Sequence, residues 1–213
     1  MRPAFDEESA VSFRGGLIVA KKSTVLFFTK LLESRRMDHH LETERLWLAP
    51  WSPADLASAR PIFTDPDVMR YINGGRPRTD SEILEFFSRQ QNHLCSRGFC
   101  LWKLLRKPDG RIIGDCGLQP LELDGASEVE IGWRLAKDQW GQGFATEAAM
   151  LALRDAVERA HLSRVIAIAM PENRSSLHIM EKLGMTYERD SQKDGFAIAV
   201  YSRHFADHTS RKI

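Results

Sequence analysis

From residue 41 onward the apolar positions alternate between two periods. Short runs that alternate or are continuously apolar predict strands, and apolar residues three and four apart predict helices. Arg45–Trp51 (RLWLAPW) reads as a strand stopped by Pro53. Ser52-Pro53-Ala54-Asp55 supplies a capping serine and a proline at the first helical position, so a helix starts there and runs to just before Asp65-Pro66. Asn73-Gly74-Gly75 with Pro77 marks a turn. A second helix opens at Thr79-Asp80-Ser81-Glu82 and runs to Arg97, with Ile83, Leu84, Phe86, Phe87 and Leu94 approximating one face. Phe99–Leu105, the tight turn Pro108-Asp109-Gly110 and Arg111–Leu121 make a hairpin, and Glu128–Leu135 (EVEIGWRL) adds a strand to an antiparallel meander.

The pattern then changes. Gly143–Ala160 is predicted helical, with Ala149, Ala152, Leu153, Ala156, Val157 and Ala160 as a continuous stripe. Arg164–Met170 (RVIAIAM) is apolar on both faces, as a strand covered on both sides should be. Asn173–Lys182 is a short helix closed by Gly184, and Met185–Arg189 and Phe196–His204 are strands around Asp194-Gly195. The chain carries no internal repeat and no low-complexity linker. The expectation is one α/β domain over residues 41–213, preceded by an N-terminal extension over residues 1–40.

Within the extension, Gly15–Leu32 (GGLIVAKKSTVLFFTKLL) is broken by Lys21, Lys22 and Lys30. It is too short and too charged for a comfortable membrane span, and lacks the small-residue cleavage site of a secretory signal. Met37 stands just ahead of the first well-formed strand. The leader therefore reads either as an upstream stretch outside the natural product or as an amphipathic arm that packs on a partner.

Composition narrows the function classes. The 213 residues are 43% hydrophobic and 28% charged, with a formal charge of +1, which argues against nucleic acid as a partner. Cys95, Cys100 and Cys116 are odd in number and irregular in spacing, so neither a disulfide framework nor a zinc site is expected. Free buried thiols in a reducing cytoplasm fit this usage.

The candidate chemistry centres on Gln139-Trp140-Gly141-Gln142-Gly143-Phe144-Ala145-Thr146-Glu147, between a strand and a long helix. Two glycines allow a tight turn, and the helix start offers unpaired N–H groups and the positive end of its dipole. That combination suits a phosphate or pyrophosphate. A P-loop would need Gly-Lys-Ser/Thr, but Phe144-Ala145 follows Gly143. A Rossmann fingerprint, with three glycines in one turn, fits less well.

EIGWRL, WGQGFATEA and NRSSLHIMEKLGM follow one another in this order. Together they resemble the GNAT family of acyl-CoA-dependent N-acyltransferases over most of residues 41–205, nearest to the branch that acetylates ribosomal-protein N-termini. The resemblance implies a mixed, mostly antiparallel sheet whose central strands splay apart, with flanking helices. It implies acetyl-CoA as cosubstrate, no metal, and direct transfer to a primary amine, either a protein N-terminus or a small molecule, in a ternary complex. Longer acyl donors share the same CoA portion, so the loop does not distinguish them. A non-catalytic acyl-CoA sensor on the same fold is the competing reading. No membrane partner is implied, and the sheet's edge strands leave room for a homodimer.

By the resemblance, Gly141, Gln142, Gly143, Ala145 and Thr146 surround the CoA pyrophosphate, although Trp140 stands where the family usually has Arg or Gln. Trp133 and Leu135 offer backbone groups to the pantetheine arm, a form of β-augmentation, and Gly132 marks a bulge that opens the pairing. Asn173 either caps its helix, binds pantetheine, or does both. The attacking amine must be neutral, which favours an α-amino group (pKa roughly 8) over lysine (roughly 10.4). Glu130, sharing a strand face with Glu128, is the candidate base, and a solvated surface pair is the plainer alternative. Ser176 is the candidate proton donor to the thiolate, since His178 and Met180 occupy the region where many family members carry Tyr. Trp51, Tyr71 and Asn73 are candidate walls of the acceptor site.

Overall fold

The computed structural model describes residues 8–13, 16–21 and 41–205. It divides into two units, residues 1–39 and 40–213. In the first, β1 (Glu8–Phe13) and β2 (Gly16–Lys21) pair as an antiparallel hairpin. The apolar stretch after Lys21, Met37 and the C-terminal residues after Phe205 lie outside the described residues.

The second unit is built on one sheet. Its strands are β3 (Leu41–Glu42), β4 (Leu46–Ala49), β5 (Leu101–Arg106), β6 (Ile112–Leu123), β7 (Ala126–Leu135), β8 (Arg164–Ala169), β9 (Thr186–Lys193) and β10 (Phe196–His204). Their order is β3-β4-β5-β6-β7-β8-β10-β9, antiparallel throughout except that β7 and β8 run parallel. The expected mixed, mostly antiparallel sheet is present, in an α/β arrangement. Among the described residues five α-helices flank it: α1 (Leu56–Phe63), α2 (Pro66–Met69), α3 (Asp80–Arg97), α4 (Phe144–Glu158) and α5 (Arg174–Lys182).

Local chemistry explains the boundaries. At Thr79 the hydroxyl accepts from the Glu82 N–H while Glu82 reaches back to the Thr79 N–H, a reciprocal cap that starts α3. Ser52 stands as the cap and Pro53 at the first helical position, as expected, but Pro53–Asp55 is a single 3-10 turn and the α-helix α1 begins at Leu56. The sequence reading missed α2, one turn started by Asp65, whose carboxylate accepts from the Asp67 and Val68 N–H groups. The expected bulge at Gly132 is absent. The β6–β7 register runs without a shift from Gly114↔Leu135 to Leu123↔Ala126, through Gly117↔Gly132. The parting of the central strands therefore owes nothing to a bulge in β7.

Two cores form on opposite faces of the sheet. One side carries the Ala-rich face of α4 with Leu177 and Met180 of α5, packed on Ile131, Leu135, Val165 and Ala167. The other carries α1 and α3 around an aromatic cluster in which Trp51 stacks on Phe87 at 4.5 Å, with Phe63 and Phe86 edge-on. Trp51 is thus a core residue, which corrects its assignment to an acceptor wall. Beneath this cluster Arg134 lies over the Phe63 ring at 3.6 Å and donates from Nε to Asp115 Oδ2 at 2.9 Å and from Nη2 to the same oxygen. Both side chains are buried. No helix among the described residues is long and apolar enough to cross a membrane.

Removing one member of a buried pair leaves the other charge uncompensated. Asp115→Ala is expected to destabilise the domain by about 3–5 kcal/mol in urea unfolding. A change below about 1 kcal/mol would show that Arg134 finds compensation elsewhere.

Candidate active site

The site begins where β7 and β8 separate. Their parallel pairing is confined to Glu130↔Ile166, yet β7 continues to Leu135 and β8 to Ala169. On its other edge β7 stays fully paired with β6, and the Ala136 N–H donates to Ile113 O at 2.8 Å. Backbone groups alternate sides along a strand. Ala136 and Arg134 therefore point theirs at β6, while Trp133 and Leu135 point theirs into the gap. The Leu135 carbonyl accepts one bond there already, from the Trp140 indole N–H at 2.9 Å.

The glycine turn lies at the wide end of this gap. Gly141 (φ 72°) and Gly143 (φ 82°) adopt the left-handed conformation, and Gly143 is the residue that enters α4. The first backbone bond into α4 is from the Glu147 N–H to Gly143 O, at 3.0 Å. Among the described residues none accepts from the N–H groups of residues 141–146, which leaves a row of donors at the positive end of a 15-residue helix.

Arg45 holds this turn in place, and the sequence reading missed it. Its guanidinium covers the Phe144 ring at 4.4 Å, donates to Gln142 O at 3.0 Å and donates from Nε to Glu147 Oε2 at 2.6 Å. Thr43 Oγ1 and the Arg45 N–H complete the shell around Glu147. Burial pushes the Glu147 carboxyl up, but these bonds outweigh it and hold it below its ordinary range. Glu147 is therefore an anchor as well as a first-turn acid. No local pattern could pair it with a residue 102 positions away.

The gap and the turn open onto a cavity of about 590 Å³. Of the residues singled out from the sequence, it is lined by Trp133, Leu135, Gly141, Gly143, Ala145, Thr146, Asn173 and Ser176. Gln142 and Glu130 are not among the lining residues. The Gln142 side chain turns back to donate to Asp138 O at 2.9 Å. Asn173 Oδ1 accepts from the Ser176 N–H at 3.2 Å, so it caps α5. Ser176 is half-buried one turn into that helix, while Met180 is buried in the core. His178 lines the cavity and is exposed, 3.6 Å from Glu181. Tyr71, also in the lining, donates to Glu172 O at 3.5 Å. Asn73 instead donates to Arg76 O within its own turn and does not line the cavity.

Glu130 occupies the last paired position before the strands part. Its side chain is buried, and Oε2 accepts from Gln119 Nε2 at 2.8 Å. Burial raises its pKa above the ordinary carboxylate value; the Gln119 bond and the Lys193 charge pull the other way without cancelling it. The sheet curls around this face. Asp124, in the β6–β7 turn, takes Arg189 at 2.9 Å and Ser191 Oγ at 2.7 Å from β9, at the far edge of the sheet. Leu121, Leu123, Ile166, Ile198 and Val200 fill the hollow. Among the described residues no group of three His, Cys, Asp or Glu side chains is placed to hold a metal ion.

Comparison with protein-family models matches residues 45–186 to the acetyltransferase (GNAT) domain. The chain belongs to the GNAT family. It is accordingly an acetyl-CoA-dependent acyltransferase by family. It is 32% identical to the uncharacterized protein YkkB of Bacillus subtilis over 164 residues, 76% of this chain and 94% of that one. A GNAT-family acetyltransferase structure from Bordetella pertussis superposes with a TM-score of 0.69 at 25% identity, covering 78% of this chain and 99% of that one. The ribosomal-protein-S5-alanine acetyltransferase structure from Vibrio fischeri shares the fold at 15% identity, with a TM-score of 0.65 over 80% of this chain and 98% of that one.

Two outcomes follow for a GNAT enzyme built this way. Arg45→Met removes the brace behind the turn and is expected to weaken CoA binding about tenfold in calorimetry while the domain stays folded. Unchanged affinity would mean that the turn holds its shape unaided. Gln119→Leu removes a bond that lowers the Glu130 pKa, so that pKa rises further. Were Glu130 the base, which works only when deprotonated, the acidic limb of the kcat/KM profile would move to higher pH. A limb that stays in place would separate Glu130 from the observed titration.

Proposed function

We propose that this protein transfers an acetyl group from acetyl-CoA directly to a primary amine, with both substrates bound together. The observation that carries this reading is the parting of β7 from β8 beside the amide-rich start of α4. A pantetheine chain has amide donors and acceptors at intervals suited to an open strand edge, and a pyrophosphate suits the helix start. Trp133 would pair with the pantetheine amides. Asn173 uses its oxygen for the cap, so its amide nitrogen would meet a pantetheine carbonyl. Backbone N–H groups of residues 141–146, including those of Gly141, Gln142, Gly143, Ala145 and Thr146, would hold the pyrophosphate. Gln142 would contribute only its N–H, because its side chain is turned away.

In the reaction the neutral amine attacks the thioester carbonyl. A C–N bond forms, the carbonyl oxygen becomes an oxyanion beside the Trp133 N–H, and the C–S bond then breaks. Glu130 takes the amine proton, directly or through water, and its raised pKa makes it a better base than a solvated carboxylate. Ser176 Oγ donates a hydrogen bond to the departing thiolate, and the proton taken up by Glu130 passes on through water to the sulfur, which leaves the thiol of CoA and restores the carboxylate. The acceptor is a protein N-terminus or a small-molecule amine, and the low pKa of an α-amino group favours a substrate that carries one. A reducing compartment such as the cytoplasm fits Cys100 and Cys116, which are free, buried thiols.

The second reading, an acyl-CoA-binding module without turnover, draws on Met180. That residue points into the core in the helix region where many relatives carry a tyrosine acid.

The test is thiol release from acetyl-CoA over a panel of α-amino peptides, polyamines and small amines. Glu130→Gln is expected to lower kcat by about 10²–10⁴, and Ser176→Ala by about tenfold. Full activity in both variants would refute the catalytic assignment. CoA binding without turnover on any amine would favour the module.

A further inference from the structure

Residues that face each other across β6 and β7 share a side of the sheet, as do residues two apart along each strand. Asp115↔Arg134, Gly117↔Gly132 and Gln119↔Glu130 are therefore successive rows on one face. The first row is a locked ion pair, and the third is the candidate base with its hydrogen-bond donor. The row between them is bare. Gly117 has to be glycine, because a Cβ there would fall 2.2 Å from Cys100 O. Gly132 does not, since the nearest atom to its Cβ would be in Leu101 at 3.7 Å and the ladder through it is regular. A glycine inside a strand costs about 0.5–1 kcal/mol relative to Ala, so one that neither a turn nor packing demands points to close approach by a ligand. Gly132 is half-buried, which leaves this floor within reach. Phe196 shares its face of β10 with Ile198 and Val200, which pack with Ile166 beside Glu130. A Cβ on Gly74 would lie 3.7 Å from the Phe196 ring, so the Asn73–Gly75 turn meets β10 on this side of the sheet.

At the Arg134 end the charge is unbalanced. Arg78, Arg89 and Arg134 gather around the Phe86 ring at 5.3, 5.7 and 5.2 Å. Two carboxylates are near enough to act on Arg78, and both are taken: Asp115 is locked to Arg134, and Glu82 holds Arg76. The Arg78 Nε is buried and has no hydrogen-bond partner among the described residues. Burial, reinforced by Arg134 and Arg89, pushes the Arg78 pKa down to about 10, so it stays a cation at neutral pH. Arg78 does not line the cavity beside α4. Near Glu130 the Lys193 ammonium is already matched by Asp194 at 3.3 Å. A half-buried guanidinium without a counter-charge calls for an anion, and its planar fork fits a carboxylate or a phosphate.

We propose that the acceptor is an amine that carries an anionic group several bonds from its nitrogen, and that it lies along β7 over Gly132 with the amine at Glu130 and the anion on Arg78. This inference rests on the acetyl-transfer reading of Glu130. Four residues of strand, about 13 Å, separate the Glu130 row from the Arg134 row, which sets the anion well apart from the reacting nitrogen. Arg78 is then a specificity residue, and Gly132 is the surface on which the acceptor rests.

Initial rates of thiol release from acetyl-CoA by the full chain, with acceptors matched in shape and differing in charge, test this. 6-Aminohexanoate and 5-aminopentyl phosphate are compared with 6-aminohexanamide, and an alanyl-glutamyl peptide amide with its alanyl-glutaminyl counterpart. At least one anionic acceptor should exceed its neutral counterpart about tenfold in kcat/KM, and the one preferred identifies the anion as carboxylate or phosphate. In Arg78→Met that preference should fall below about threefold through a higher KM for the anionic acceptor. Arg78→Lys keeps the charge and should keep a preference above about threefold. Gly132→Ala should raise the acceptor KM about tenfold while the urea midpoint does not fall. Coenzyme A affinity within about threefold of the unmodified value, measured by calorimetry, shows that each variant is folded. Turnover with equal kcat/KM for anionic and neutral acceptors would overturn the proposal and leave acetyl transfer intact. A preference that survives Arg78→Met, or an unchanged acceptor KM in Gly132→Ala, would do the same. Coenzyme A binding with no turnover on any amine would overturn both.

Discussion

The structure turns on a parallel strand pair that is joined at one position and then abandoned. β7 and β8 meet at Glu130↔Ile166, and beyond that point the backbone groups of Trp133 and Leu135 face a space. A buried backbone donor or acceptor left without a partner costs about 1–3 kcal/mol, so a fold maintains such an edge only where something else satisfies it. Here the Trp140 indole meets one carbonyl, and the rest of the edge opens onto the cavity. The separation is held from both faces. On one side α4 and α5 wedge Phe144, Ala145, Leu177 and Met180 against the two strands. On the other, contact between Asp124 and β9 fixes the curl of the sheet around its aliphatic hollow.

The same separation organises the electrostatics. The narrow end of the gap holds a buried carboxylate, Glu130, supported by one hydrogen bond. The wide end holds a helix start whose N–H groups are turned outward by two left-handed glycines and braced by Arg45. A thioester ligand has matching polarity, with a reacting carbonyl at one end and phosphates at the other. Arg134, which also lines the cavity, is locked to Asp115, and Arg189 at the far edge of the sheet is paired with Asp124.

Much of this was legible in the chain because it rests on local chemistry. The Thr79/Glu82 cap, the Pro108-Asp109-Gly110 turn, the Gly143 entry to α4 and the Asn173 cap of α5 each depend on residues within one turn of each other. What escaped depends on distance. The bracing of Glu147 by Arg45 joins residues 102 apart, and the closure of the sheet by Asp124 and Ser191 joins residues 67 apart. Trp51 had the composition of a binding-site wall, but its neighbours Phe63, Phe86 and Phe87 converge on it only after α1 and α3 pack. Gly132 suggested a bulge, yet the opening comes from the divergence of β8, which leaves the β6–β7 ladder undisturbed. A Cβ at Gly132 would meet the Leu101 side chain at 3.7 Å, an ordinary contact, so packing does not require the glycine there.

The most direct test is backbone amide hydrogen exchange with and without saturating coenzyme A. If the parted edge and the helix start together form the binding slot, exchange should slow at Trp133 and across residues 141–146. Amides of the already paired β6–β7 ladder should change little. Unaltered exchange at Trp133 with the coenzyme bound, or protection confined to other surfaces, would contradict the account.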